Sequence, residues 1–132
     1  KELVAGGGFE PVDIAAVEPV FDWTRWDTAM ERAFEVHRFN TFSMHVDGLG
    51  GGTFHERYEP TFMGYPESAP EYDILLGKYL RGIEAHLKQK GWLDKAFVYW
   101  FDEPDPKDYA FVVDGMKRIR AAALRLLLSA ED

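Results

Sequence analysis

The stretch Ala96-Phe97-Val98-Tyr99-Trp100-Phe101-Asp102-Glu103-Pro104 decides how this chain is to be read. Its apolar run from Ala96 to Phe101, rich in aromatics and carrying a valine, predicts a strand buried on both faces. The run ends in two adjacent carboxylates. Acids just past the carboxyl end of a parallel strand sit where open α/β sheets and barrels place their chemistry. Pro104 disfavours helical geometry at the residue before it, so Glu103 is expected to stay extended at the strand tip.

Downstream, Asp105 reads as the cap of a helix with Pro106 at its first position and Asp108 in its first turn. Its apolar stripe is Val112, Met116, Ile119 and Ala123, and Leu124-Arg125-Leu126-Leu127-Leu128 then reads as another buried strand. Upstream, the stripe Leu76, Leu80, Ile83 and Leu87 predicts a helix that ends at Gly91. Residues 48 to about 71 read as one long loop carrying His55, Arg57, Tyr58, Phe62 and Tyr65. A loop of that length inside a compact domain is mostly functional or disordered, and these residue types favour binding. Thr41-Phe42-Ser43-Met44-His45-Val46 has strand character. Before it, Asp22 or Thr24 caps a helix with the stripe Trp26, Met30, Ala33 or Phe34, and His37. Arg38 suits the last turn of that helix and Asn40 its stop. The segment from Lys1 to Phe21 is loop-rich, with one short strand at most.

Helix, strand, helix, strand, helix, strand is the resulting order, which implies parallel strands joined by right-handed crossovers. Segments 41–46, 95–101 and about 125–128 are expected to be adjacent, with three amphipathic helices on one side. Three or four strands fall short of the eight that close a barrel. The expected class is therefore α/β, a partial (β/α)8 barrel forming a single domain over residues 1–132.

A net charge of −8 argues against nucleic acid as a partner, because phosphate binding needs a basic face. No apolar stretch approaches the ~18 residues of a membrane span. The chain has no cysteine, which excludes disulfides and thiolate metal sites and leaves the compartment open. The glycines from Gly48 to Gly52 lack a following Lys-Ser or Lys-Thr and do not make a phosphate loop. His45, Asp47, His55 and Glu56 do not form the paired-histidine helical pattern of zinc proteases, so neither metal nor cofactor is expected.

Four pieces together carry a family resemblance. They are Phe39-Asn40, the run from Gly48 through Thr53-Phe54-His55-Glu56-Arg57-Tyr58, Lys90-Gly91-Trp92-Leu93-Asp94-Lys95, and Tyr99-Trp100-Phe101-Asp102-Glu103-Pro104-Asp105-Pro106-Lys107-Asp108-Tyr109. With them the chain resembles the catalytic domain of glycoside hydrolase family 123, the retaining β-N-acetylgalactosaminidases and their relatives. The resemblance implies a (β/α)8 barrel that continues past this chain, with an Asp-Glu pair after the fourth strand and a carbohydrate as partner.

Most retaining glycosidases hold two carboxyl groups ~5 Å apart across the scissile bond. Neighbours on a strand point to opposite faces and suit that spacing poorly. They suit better the substrate-assisted variant, in which the sugar's 2-acetamido oxygen attacks the anomeric carbon. The resemblance then gives Asp102 the role of orienting the acetamido N–H and Glu103 that of protonating the leaving oxygen. The neighbouring charge and apolar surroundings are expected to raise the Glu103 pKa. Spacing alone equally allows both acids to be helix-start residues that stabilise a dipole. Trp100 shares the parity of Asp102 and is either a sugar platform or core packing. His45, His55, Arg57 and Tyr58 are the further candidates for sugar hydroxyls, against a solvated loop face. A non-catalytic carbohydrate-binding fragment, and a glycosidase with a protein carboxylate as nucleophile, are the alternative functions.

Overall fold

The structure, a computed structural model, describes residues 4–5, 8–9, 13–52, 57–99, 101, 105–122 and 127–128. A hairpin of β1 (Val4–Ala5) and β2 (Gly8–Phe9) is followed by a 3-10 turn at Ile14–Ala16, α1 (Thr24–Glu35) and β3 (Phe42–Met44). Two small hairpins follow, β4 (Gly51–Gly52) with β5 (Arg57–Tyr58) and β6 (Thr61–Phe62) with β7 (Tyr65–Pro66). Then come α2 (Pro70–Lys90), a 3-10 turn at Leu93–Lys95, β8 (Ala96–Val98), a 3-10 turn at Pro106–Asp108, α3 (Tyr109–Ala122) and β9 (Leu127–Leu128).

The longest helix forms where the sequence asks for it. Pro70 opens α2 with a fixed φ, Glu71 and Asp73 sit in its first turn, and Gly91 closes it at φ 77°. Leu76, Leu80, Ile83 and Leu87 are all buried, and they form the core with Met44, Val46, Ala96, Val98 and Ile119. β3, β8 and β9 lie in that order in one parallel sheet, Phe42 opposite Ala96 and Phe97 opposite Leu127. The molecule is thus a mixed α/β fold with a small parallel sheet, as the helix–strand alternation predicts.

Several boundaries differ from the sequence expectation. The first two parallel strands are shorter, ending at Met44 and Val98. Tyr99 is 45% exposed, so the run from Ala96 to Phe101 is not buried on both faces. Phe101 is buried and meets Phe111 of α3 edge to face at 5.9 Å, so period-two alternation does not continue past Tyr99. α1 ends at Glu35, not Asn40: Arg38 turns to φ 60°, and the Phe39 N–H returns to the Ala33 carbonyl at 3.0 Å. The long loop contains two hairpins rather than irregular chain. Of the third stripe, Ile119 is buried and Val112 and Met116 are half-buried, while Ala123 and residues 124–126 lie outside the described set.

The segment before α1 is tied down by specific contacts. Lys78 of α2 reaches the Ala15 carbonyl at 2.6 Å, the Val17 carbonyl and Glu18. Asp22 accepts the Thr24 N–H at 3.1 Å; that bond and the Thr24 hydroxyl hold its carboxyl below the usual carboxylate range. Trp23 stacks on His86 at 4.0 Å and on Phe21 at 5.3 Å, and His86 bonds Asp27 at 2.7 Å. These rings pin α1 to α2.

Two glycines of α2 make a paired test. A Cβ at Gly77 would meet only the movable guanidinium of Arg81, at 3.0 Å. Gly77→Ala is therefore expected to raise the melting temperature, by the ~0.5–1 kcal/mol that alanine gains over glycine in a helix. A Cβ at Gly82 would lie 2.3 Å from the Phe21 ring, which is stacked between Trp23 and Tyr79 and would have to shift out of those contacts. Gly82→Ala is expected to lower the melting temperature, an overpacking cost of ~1–3 kcal/mol outweighing the helix gain. Thermal melts of both variants check the opposite signs.

Candidate functional site

Parallel pairing sets the carboxyl ends of β3 and β8 side by side. From the first end the chain enters the turn that carries His45, Asp47 and Gly48. From the second it runs to Phe101 and on to Asp105, whose side chain accepts the Lys107 N–H at 3.2 Å. Asp105 therefore caps the turn leading into α3 as its sequence position predicts. Asp102, Glu103 and Trp100 lie outside the described residues, as does His55, and Arg57 is described only by its backbone in β5.

The residues just after β3 are held firmly. Two tyrosine hydroxyls from α2, two helical turns apart on one face, grip consecutive backbone positions. Tyr72 donates to the Gly48 carbonyl at 2.6 Å, and Tyr79 accepts the Asp47 N–H at 3.4 Å. Tyr72 is fully buried, with the Arg118 guanidinium 5.4 Å from its ring centroid and that arginine bonded to Glu67 at 2.9 Å. Burial pushes the Tyr72 hydroxyl up to about 12, Arg118 opposing, so it stays a donor at ordinary pH. Burial raises Tyr79 as well.

Gly48 has φ 90°, and a Cβ there would strike the Phe62 ring at 2.6 Å. The β6–β7 hairpin is thereby packed against the same turn, with Phe62 also 5.2 Å from the Tyr79 ring.

On this support His45 is exposed and donates from Nε2 to Asp47 Oδ1 at 2.9 Å. Tyr58 is exposed on β5, and its carbonyl lies 2.3 Å from where a Gly50 Cβ would be, so its backbone abuts the same turn. Of the candidates read from sequence, His45 and Tyr58 thus share one rigid excursion. Asp47, Tyr72 and Tyr79 were not singled out as site residues. The available signal was a pair of tyrosines spaced by seven on a leucine stripe, where a buried hydroxyl needs a partner.

A groove of about 380 Å³ between α2 and α3 is lined by Asp73, Leu76, Gly77, Arg81, Lys117, Arg118 and Ala121, and includes none of the sequence candidates. No group of three or more metal-ligating side chains stands together among the described residues. Among them, too, no helix is long and apolar enough to cross a membrane.

Comparison with known families adds one finding. The family described as "Glycoside hydrolase 123, catalytic domain" matches residues 20–130, which takes in both strand ends, the two hairpins between β3 and α2 and the Asp102-Glu103 pair. No curated protein matches the chain.

Proposed function

Because the chain belongs to the glycoside hydrolase 123 catalytic-domain family, and so to the glycoside hydrolases, we propose that it cleaves 2-acetamido sugar glycosides by substrate assistance. In this reading Asp102 orients and polarises the acetamido N–H so that the acetamido oxygen attacks the anomeric carbon. Glu103 protonates the departing oxygen and then, as a base, activates the water that opens the cyclic intermediate. The observation that carries it is the position of the pair in the chain: it follows β8, the central strand of the parallel sheet, within the matched residues. Trp100, His45, His55, Arg57 and Tyr58 are the residues we assign to the sugar.

We also read residues 1–132 as one domain, a portion of a larger (β/α)8 barrel. Sheet order follows chain order for β3, β8 and β9, as it does for successive barrel strands, and among the described residues both outer strands keep an unpaired edge.

The test uses paired aryl glycosides that differ only at the 2-position. The 2-acetamido substrate is expected to be cleaved and the 2-hydroxy one left intact, with a thiazoline mimic of the cyclised intermediate inhibiting strongly. A covalent adduct trapped on a protein carboxylate would replace this mechanism with the direct nucleophilic one.

A further inference from the structure

Burial along β3 and β8 and the residues that follow them divides the sheet into two faces. Met44, Val46, Ala96 and Val98 are buried against the core. Ser43 on β3 and His45 just after it alternate with them and are exposed; Phe97 on β8 and Tyr99 just after it alternate likewise, half-buried and exposed. The register pairs Ser43 with Phe97 and Met44 with Val98. His45 and Tyr99 each follow the last paired residue of their strand, Met44 and Val98. They lie on the face opposite the core, at the carboxyl ends of the strands.

His45 is not placed there loosely. Its Nε2 bonds Asp47, which leaves Nδ1 as the other hydrogen-bonding atom of the ring. The Asp47 backbone is held by Tyr79, and Tyr72 holds the next carbonyl. An exposed His–Asp contact adds little stability by itself. One buried and one half-buried hydroxyl spent on the turn beneath it suit a group that must be pre-oriented. Imidazole and phenol are both hydrogen-bonding groups of the kind that neighbouring sugar hydroxyls match.

We propose that His45 and Tyr99 contact the hydroxyls of the bound sugar, and that Asp47, Tyr79 and Tyr72 are positioning residues behind them. The inference rests on the glycoside hydrolase reading above and adds Tyr99, Asp47, Tyr79 and Tyr72 to the His45 already assigned there.

The test uses the full-length protein with labelled histidine rings, titrated with N-acetylgalactosamine and N-acetylglucosamine. The His45 ring resonances should move with at least one sugar, while those of His37, exposed after α1, stay fixed. His45→Ala and Tyr99→Phe should each raise KM roughly 3- to 10-fold with a smaller change in kcat, the size of one lost hydrogen bond. Tyr79→Phe keeps the ring against Phe21 and Phe62. It should move the His45 titration midpoint to several-fold higher sugar concentration while the protein still unfolds cooperatively.

An unmoved His45 ring, or unchanged KM in both contact variants, overturns the sugar contacts. A wild-type titration in Tyr79→Phe overturns its positioning role. The carboxylate reading fails separately, if Glu103→Gln keeps full hydrolysis.

Discussion

Glu103→Gln is expected to cut turnover of glycosides with alkyl or sugar leaving groups by about 10²–10⁴-fold, the usual weight of general acid–base catalysis. The amide keeps the shape of the acid but has no proton to give the departing oxygen. Nitrophenyl leaving groups depart without that proton, so the loss with them should be much smaller. Asp102→Asn should behave differently and be damaging with both classes. It weakens the orientation of the acetamido group, which precedes bond cleavage whatever leaves. The pattern across two variants and two leaving groups is the informative measurement. Equal losses with both leaving groups in Glu103→Gln would remove the acid role from that residue.

The largest stability effect is expected at Leu80, which is fully buried on α2 in the centre of the core. Leu80→Ala removes buried methyl groups and leaves a void that the surrounding core closes only in part, at a cost of about 2–5 kcal/mol. The same kind of truncation at Ile74, 40% exposed on the same helix, should cost far less. Urea unfolding of both variants separates them: the midpoint should fall steeply for Leu80→Ala with an unchanged slope. Similar midpoints would mean that the leucine stripe of α2 does not carry the core.

What could be read in the sequence was what repeats or punctuates. The stripe from Leu76 to Leu87, the proline before it and the glycine after it define α2 through local geometry alone. The order of strands followed from their alternation with helices. The two hairpins between β3 and α2 were not legible: Gly51-Gly52 has no side chains to alternate, and the β6–β7 turn depends on Met63 adopting φ 52°. The end of α1 was missed for a related reason, since an arginine is a poor forecast of a left-handed residue. The Asp-Glu motif and its place after a strand were evident without coordinates. The hydroxyl clamp under His45 was not, because a hydrogen bond from Tyr72 to Gly48 leaves no periodic trace.

The parallel ladder also fixes an order of events in folding. Phe42 meets Ala96 only across both hairpins and the whole of α2, and a contact so distant along the chain repays its loop-closure entropy late. The contacts available early are local: the turns of α2, the two-residue hairpin at Met63, and the packing of Phe62 on Tyr79. A nascent chain would therefore hold α2 and its hairpin while β3 and β8 are still apart, with their backbone edges open to intermolecular pairing. Docking of these two strands beneath a preformed helix is the expected rate-limiting step, so slow refolding and concentration-dependent aggregation should belong to the same stage.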